Sequence, residues 1–76
     1  MKMSKKDKQL LLKAEISSYL IYSGYNKEEL ALKLGISRAS FYNKVNDLDR
    51  FTFREISELF QILKMDDEKK LKLLAA

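Results

Sequence analysis

The residues of this chain best suited to chemistry are Arg38, Ala39, Ser40, Tyr42, Asn43 and Asn46, which fall on one face of a helix read over about 38–45. Their donors, acceptors and single methyl recur at a spacing that suits base edges in a DNA major groove. There Arg pairs with guanine, Asn with adenine, and an Ala methyl touches thymine. A purely structural exposed helix would more often carry Glu/Lys pairs four apart. This one does not.

Bond-making catalysis lacks its parts. The chain contains no His and no Cys, which removes imidazole and thiolate metal ligands, disulfides and the usual nucleophile and base pairs. The carboxylates that remain are scattered and mostly stand at helical spacing from a Lys. No enzymatic activity, metal or cofactor is expected from such a set.

To present that face, the chain must form two short helices around a tight turn. Asn26 can cap the first, and Glu29 sits three residues later, where its carboxylate reaches back to the Asn26 backbone N–H in a capping box. Tyr25 and Leu30 occupy the two positions of a hydrophobic staple. Leu30, Ala31 and Leu34 line one face, and Ala31 is small where the helices would cross. Gly35 then stops the helix, because a left-handed residue costs steric energy that Gly avoids. Ile36 plugs the turn, Ser37 caps the second helix, and Phe41 and Val45 form its buried side. The layout over 26–45 is that of a helix-turn-helix.

The remaining sequence supplies three more helices and one polar loop. Leu12, Ile16, Tyr19, Leu20 and Ser23 mark one face of a first helix from Asp7 to Ser23, ended by Gly24, with residues 1–6 left as a flexible basic segment. Residues 46–52 form the loop. Thr52 and Glu55 make a second capping box, followed by Ile56, Leu59, Phe60 and Leu63 at helical spacing. Asp66 caps a last helix whose acids precede its lysines, the order that complements the helix dipole, with Leu71 and Leu74 placed to pack on the core. Phe51 and Phe53 flank Thr52 and cannot easily share one environment.

With no Pro, two Gly at helix ends and 76 residues, the expectation is one all-α domain over 7–76. A chain of this size buries only about 60% of its unfolded surface, so stability should be modest. No apolar run reaches the ~18 to 20 residues that span a bilayer, and no signal-peptide cleavage pattern follows Lys2, so a cytoplasmic protein without membrane association is expected. The net charge is +4 and the pI about 9.4, which suits a polyanionic partner. The excess lies in residues 1–13, where Lys2, Lys5, Lys6, Lys8 and Lys13 oppose Asp7 alone.

The run Leu30-Ala31-x-x-Leu34-Gly35-Ile36-Ser37-Arg38-x-Ser40-Phe41-Tyr42-Asn43-Lys44-Val45, with one helix before it and two after, resembles the phage repressor and Cro family of lambda-repressor-like (XRE-type) DNA-binding domains. The resemblance covers about 14–74. It implies a compact five-helix domain with helix 3 in the major groove and helix 2 across the phosphate backbone. It also implies that Arg38, Ala39 and Asn43 read bases, with Ser40 and Tyr42 nearby. Asn26, Lys27, Lys44, Asn46 and Arg50 would meet phosphates. The partner would be a duplex operator, palindromic and bound by a homodimer. A small transcription regulator of phage or mobile-element type is the function implied.

Two features depart from the family's pattern. The loop after helix 3 is basic in many relatives, whereas here Asp47 and Asp49 face only Arg50 in the sequence. Leu10 and Leu11 extend the first helix beyond its expected core face. These departures motivate a second expectation, an antirepressor that binds a repressor protein through Tyr42, Asp47, Asp49 and Phe51 and blocks its DNA binding. An antitoxin of the same fold is a third. Phe41, Phe51, Phe53 and Phe60 are read mainly as core.

Overall fold

Side-chain caps decide where each helix of this protein begins. A computed structural model describes residues 3–75. Among them are five α-helices, α1 (Lys5–Ser23), α2 (Lys27–Lys33), α3 (Arg38–Val45), α4 (Phe53–Leu63) and α5 (Asp67–Leu74), with a 3-10 turn at Leu48–Arg50. Met1, Lys2 and Ala76 lie outside the described residues, so the basic segment 1–6 is seen only from Met3 onward. No strand occurs among the described residues, and no helix there is long and apolar enough to cross a membrane.

Both capping boxes form. Asn26 Oδ1 accepts from Glu29 N at 2.8 Å while the Glu29 carboxylate accepts from Asn26 N at 3.2 Å. Thr52 and Glu55 repeat the exchange at 3.1 and 2.9 Å. The start of α1 differs from the sequence expectation. Ser4 Oγ accepts from Asp7 N at 3.1 Å, so the helix opens at Lys5 and Asp7 falls in its first turn, where a carboxylate complements the positive helix end.

Gly24 and Gly35 terminate α1 and the turn after α2 at φ of 78° and 74°, conformations a β-carbon resists. The end of α4 uses Lys64 at φ 52° instead. That reversal brings Met65 into the core at 6% exposure. A left-handed non-glycine costs about 1–2 kcal/mol, which burial of a Met side chain, worth about 1.5–3 kcal/mol, offsets.

The core takes Leu12 and Ile16 from α1, Leu30, Ala31 and Leu34 from α2 and its turn, Phe41 and Val45 from α3, and Leu59 and Phe60 from α4. Leu12, Leu30 and Leu59 are fully buried, so truncation of any one to Ala should cost about 2–5 kcal/mol. Tyr25 stacks on Tyr19 at 6.2 Å between ring centroids, with Lys33 Nζ 4.0 Å from the Tyr25 centroid. The Cα radius of gyration of 11.7 Å is close to the roughly 11 Å of a compact chain this long.

Two apolar placements differ from expectation, one on α5 and one at Phe53. On α5, Leu73 packs on the core while Leu71 and Leu74 are exposed, because docking of the helix turns a neighbouring position inward. Leu10, exposed, and Leu11, half-buried, lie beyond the core face as expected. Phe51 packs inward and Phe53 stands out at 80% exposure. Polar contacts hold α5 against α1, with Lys69 Nζ 2.5 Å from Glu15 Oε1 and Lys8 Nζ donating to the Ala75 carbonyl.

Candidate functional site

The orientation of α3 follows from three residues. Gly35 turns the chain, Ile36 N donates to Ala31 O at 3.1 Å, and Ser37 Oγ accepts from Ser40 N at 3.0 Å. With Phe41 and Val45 buried, Tyr42 and Asn43 between them face outward. Arg38, Ala39, Tyr42 and Asn43 are exposed together, and Ser40 is half-buried. The helix carries no acidic side chain. Arg38, Tyr42 and Asn43 make no side-chain hydrogen bond or ion pair with any described residue, so their polar groups are available to another molecule.

The C-terminal flank of the same helix is arranged differently. Lys44 Nζ donates to both carboxylate oxygens of Glu55 at 2.5 Å, and each side chain is only 16% exposed. That pair, with the Thr52 N–H, holds the Glu55 carboxyl below the usual carboxylate range. Asn46 Nδ2 donates to Tyr42 O at 2.9 Å, its Oδ1 accepts from Lys13 Nζ at 2.9 Å, and its carbonyl accepts from Gln9 Nε2 at 2.7 Å. Lys44 and Asn46, placed by the family resemblance on phosphates, are therefore engaged within the protein.

The acidic loop is neutralised by a residue far away in sequence. Lys5 Nζ lies 2.7 Å from Asp49 Oδ2 and 3.2 Å from Asp47 Oδ1, and Arg50 Nε lies 3.4 Å from Asp47 Oδ2. Asp49 and then Asp47 raise the Lys5 pKa, and Lys5 lowers that of Asp47. In the sequence only Arg50 opposed these acids. Packing of α1 beside the 3-10 turn supplies the second cation.

The other expected contacts divide the same way. Asn26 uses its side chain and N–H in its own capping box. Lys27 is exposed, forms no ion pair among the described residues, and lines a hollow together with Arg38. The surface imagined for a protein partner is not assembled as one patch: Tyr42 is exposed, Asp47 and Asp49 are paired with Lys5, and Phe51 packs inward.

Ser17 of α1 was not singled out in the sequence, and Lys13 was read only as part of the basic N-terminal excess, yet both border the outward face of α3. A signal was present. Each follows a buried residue of the α1 stripe, Leu12 or Ile16, so the two stand four apart beside the core face. Among known proteins, no family model, curated protein or solved structure matches the chain.

Proposed function

We propose that this protein is a small sequence-specific DNA-binding regulator in which α2 and α3 act as a helix-turn-helix and α3 enters the major groove. One observation carries the reading: Arg38, Ala39, Tyr42 and Asn43 face outward together, while most polar residues flanking them are paired internally. A guanidinium, an amide and a methyl on one acid-free helical face match the hydrogen-bonding and methyl pattern of base edges. The resemblance to the repressor and Cro family supports the same reading and implies a homodimer on a palindromic site.

Phosphate contacts then fall mainly to Lys27 and Arg38, with Arg50 shared with Asp47. Duplex binding should weaken with salt, because displaced counterions drive association. It should do so less steeply than the number of basic residues alone suggests, since Lys5, Lys44 and Lys69 are already paired with carboxylates. The test is titration of a labelled duplex pool at about 50 and about 200 mM salt. Binding that falls across that range and is lost in Arg38→Glu supports the reading. A folded protein that ignores duplex DNA at the lower salt would overturn it and direct attention to a protein partner, although docking through Asp47 and Asp49 would first have to break their pairs with Lys5.

A further inference from the structure

Between α1, α2 and α3 lies a cleft of about 450 Å³ whose polar lining comprises Lys13, Ser17, Lys27, Arg38, Tyr42 and Asn46. Three side chains there are cationic and none is acidic. Four other hollows on the surface each contain a carboxylate: Asp49, Glu28, Glu15, or Glu55 with Glu58. The junction of the three helices differs from those four in this charge balance, although Lys27 and Arg38 also line the hollow that contains Glu28.

Lys13, like Lys8 on the Ala75 carbonyl and Lys33 on the Tyr19 hydroxyl, is held by a neutral acceptor. Lys5, Lys44 and Lys69 face carboxylates, whereas Lys13 Nζ is held by the neutral amide oxygen of Asn46 at 2.9 Å. The Asn46 amide is itself oriented by donating to Tyr42 O at 2.9 Å. A neutral acceptor fixes the ammonium without cancelling its charge. The cleft therefore presents a positioned Lys13, the unpaired Lys27 and Arg38, and the hydroxyls of Ser17 and Tyr42 above a floor that includes Phe41.

We propose that this cleft is a phosphate-binding site, and that its occupant is a backbone phosphate of the duplex whose bases α3 reads. An Arg fork and two Lys point charges with no acid among them suit an anion, and the paired non-bridging oxygens of a backbone phosphate match the Arg fork. Because the cleft shares Arg38 and Tyr42 with the outward face of α3, a strand entering it lies beside the bases read there. The choice of a backbone phosphate as occupant rests on the DNA-binding function; the choice of an anion rests on the cleft alone. Lys13 becomes a backbone clamp, with Asn46 as its positioning residue.

The experiment compares duplex affinity across salt for the wild type, Lys13→Gln, Lys13→Arg and the equally charge-reduced Lys64→Gln, alongside inorganic pyrophosphate titrated into the protein and followed by amide NMR. Lys13→Gln should reduce the slope of log affinity against log salt by about 0.9 per protomer without altering the preferred sequence. Lys13→Arg should restore the slope, and Lys64→Gln should not change it. Duplex binding with an unchanged slope in Lys13→Gln would overturn the cleft and leave the DNA function standing. Without duplex binding, pyrophosphate shifts at residues 13, 17, 27 and 38 that vanish in Lys13→Gln would retain a phosphate site and discard the DNA function. Neither response would overturn both.

Discussion

The two ends of one eight-residue helix behave as different chemical surfaces. At its start, Arg38 and its neighbours Ala39, Tyr42 and Asn43 are exposed and free of internal polar partners. At its end, Lys44, Asn46 and the loop through Arg50 are tied to Glu55, Lys13, Gln9 and Lys5. Residue types are similar in both places. Partners, not side-chain chemistry, separate a surface able to read a ligand from one that holds the domain together.

The sharpest way to break this contrast is charge reversal at its free end. Arg38→Glu should reduce duplex affinity at least about a hundredfold if the proposed function holds, since it replaces an exposed cation on the outward face of α3 with an anion. Its stability in urea should stay within about 0.5 kcal/mol of wild type, as for an exposed residue without partners. A large stability loss would show that Arg38 is structural.

Paired substitutions one residue apart sharpen it further. Asn43→Ala should relax preference at one base pair by about 1–3 kcal/mol while leaving the urea midpoint unchanged. Lys44→Met should do the reverse. Removing one partner of the enclosed pair leaves Glu55 uncompensated and should lower stability by about 1–3 kcal/mol with the preferred sequence intact. Selection experiments and urea denaturation on both variants separate the two roles.

Acid provides a subtler probe of the tied end. Because the folded-state pKa of Glu55 is depressed by Lys44 and the Thr52 N–H, its stabilising contribution is complete above the unfolded Glu value of about 4.3. It is lost as pH falls through the lower folded value. Glu55→Gln should be less stable at neutral pH and lose stability less steeply below about pH 4. Parallel acid limbs for the two proteins would refute the pairing.

The smallest expected change is at Lys5. Lys5→Gln removes the cation facing Asp47 and Asp49, which are 40% and 80% exposed at the side chain. Duplex affinity should fall a few-fold at low salt and recover toward wild type as screening shortens the range of the uncovered charge. Equal weakening at all salt concentrations would indicate a distorted loop instead.

Much of this architecture was readable in the sequence, because local chemistry specified it. Asn26 with Glu29, Thr52 with Glu55, and the glycines at 24 and 35 each determine a boundary through a few adjacent residues. The stripe of Leu30, Ala31, Leu34, Phe41 and Val45 likewise follows from helical period alone. Elements set by tertiary context were less accessible. Nothing local marks Lys64 for a left-handed turn; the depth available to Met65 does so. The choice of Leu73 over Leu71 and Leu74 depends on how α5 docks. Nor could spacing show that Lys5 would reach Asp47 and Asp49, and although it sets Lys13 and Ser17 beside the core face of α1, only packing shows that α3 is the helix they border.

The most direct test of a base-reading α3 is selection of the purified protein against a random duplex library near physiological salt, with Arg38→Glu carried in parallel. Enrichment of a palindromic sequence by the wild type, absent with Arg38→Glu, is the result predicted, and its half-site spacing would report the geometry of the dimer. No enrichment by a folded wild-type protein, or equal enrichment by both, would contradict the assignment of α3 as the reading helix.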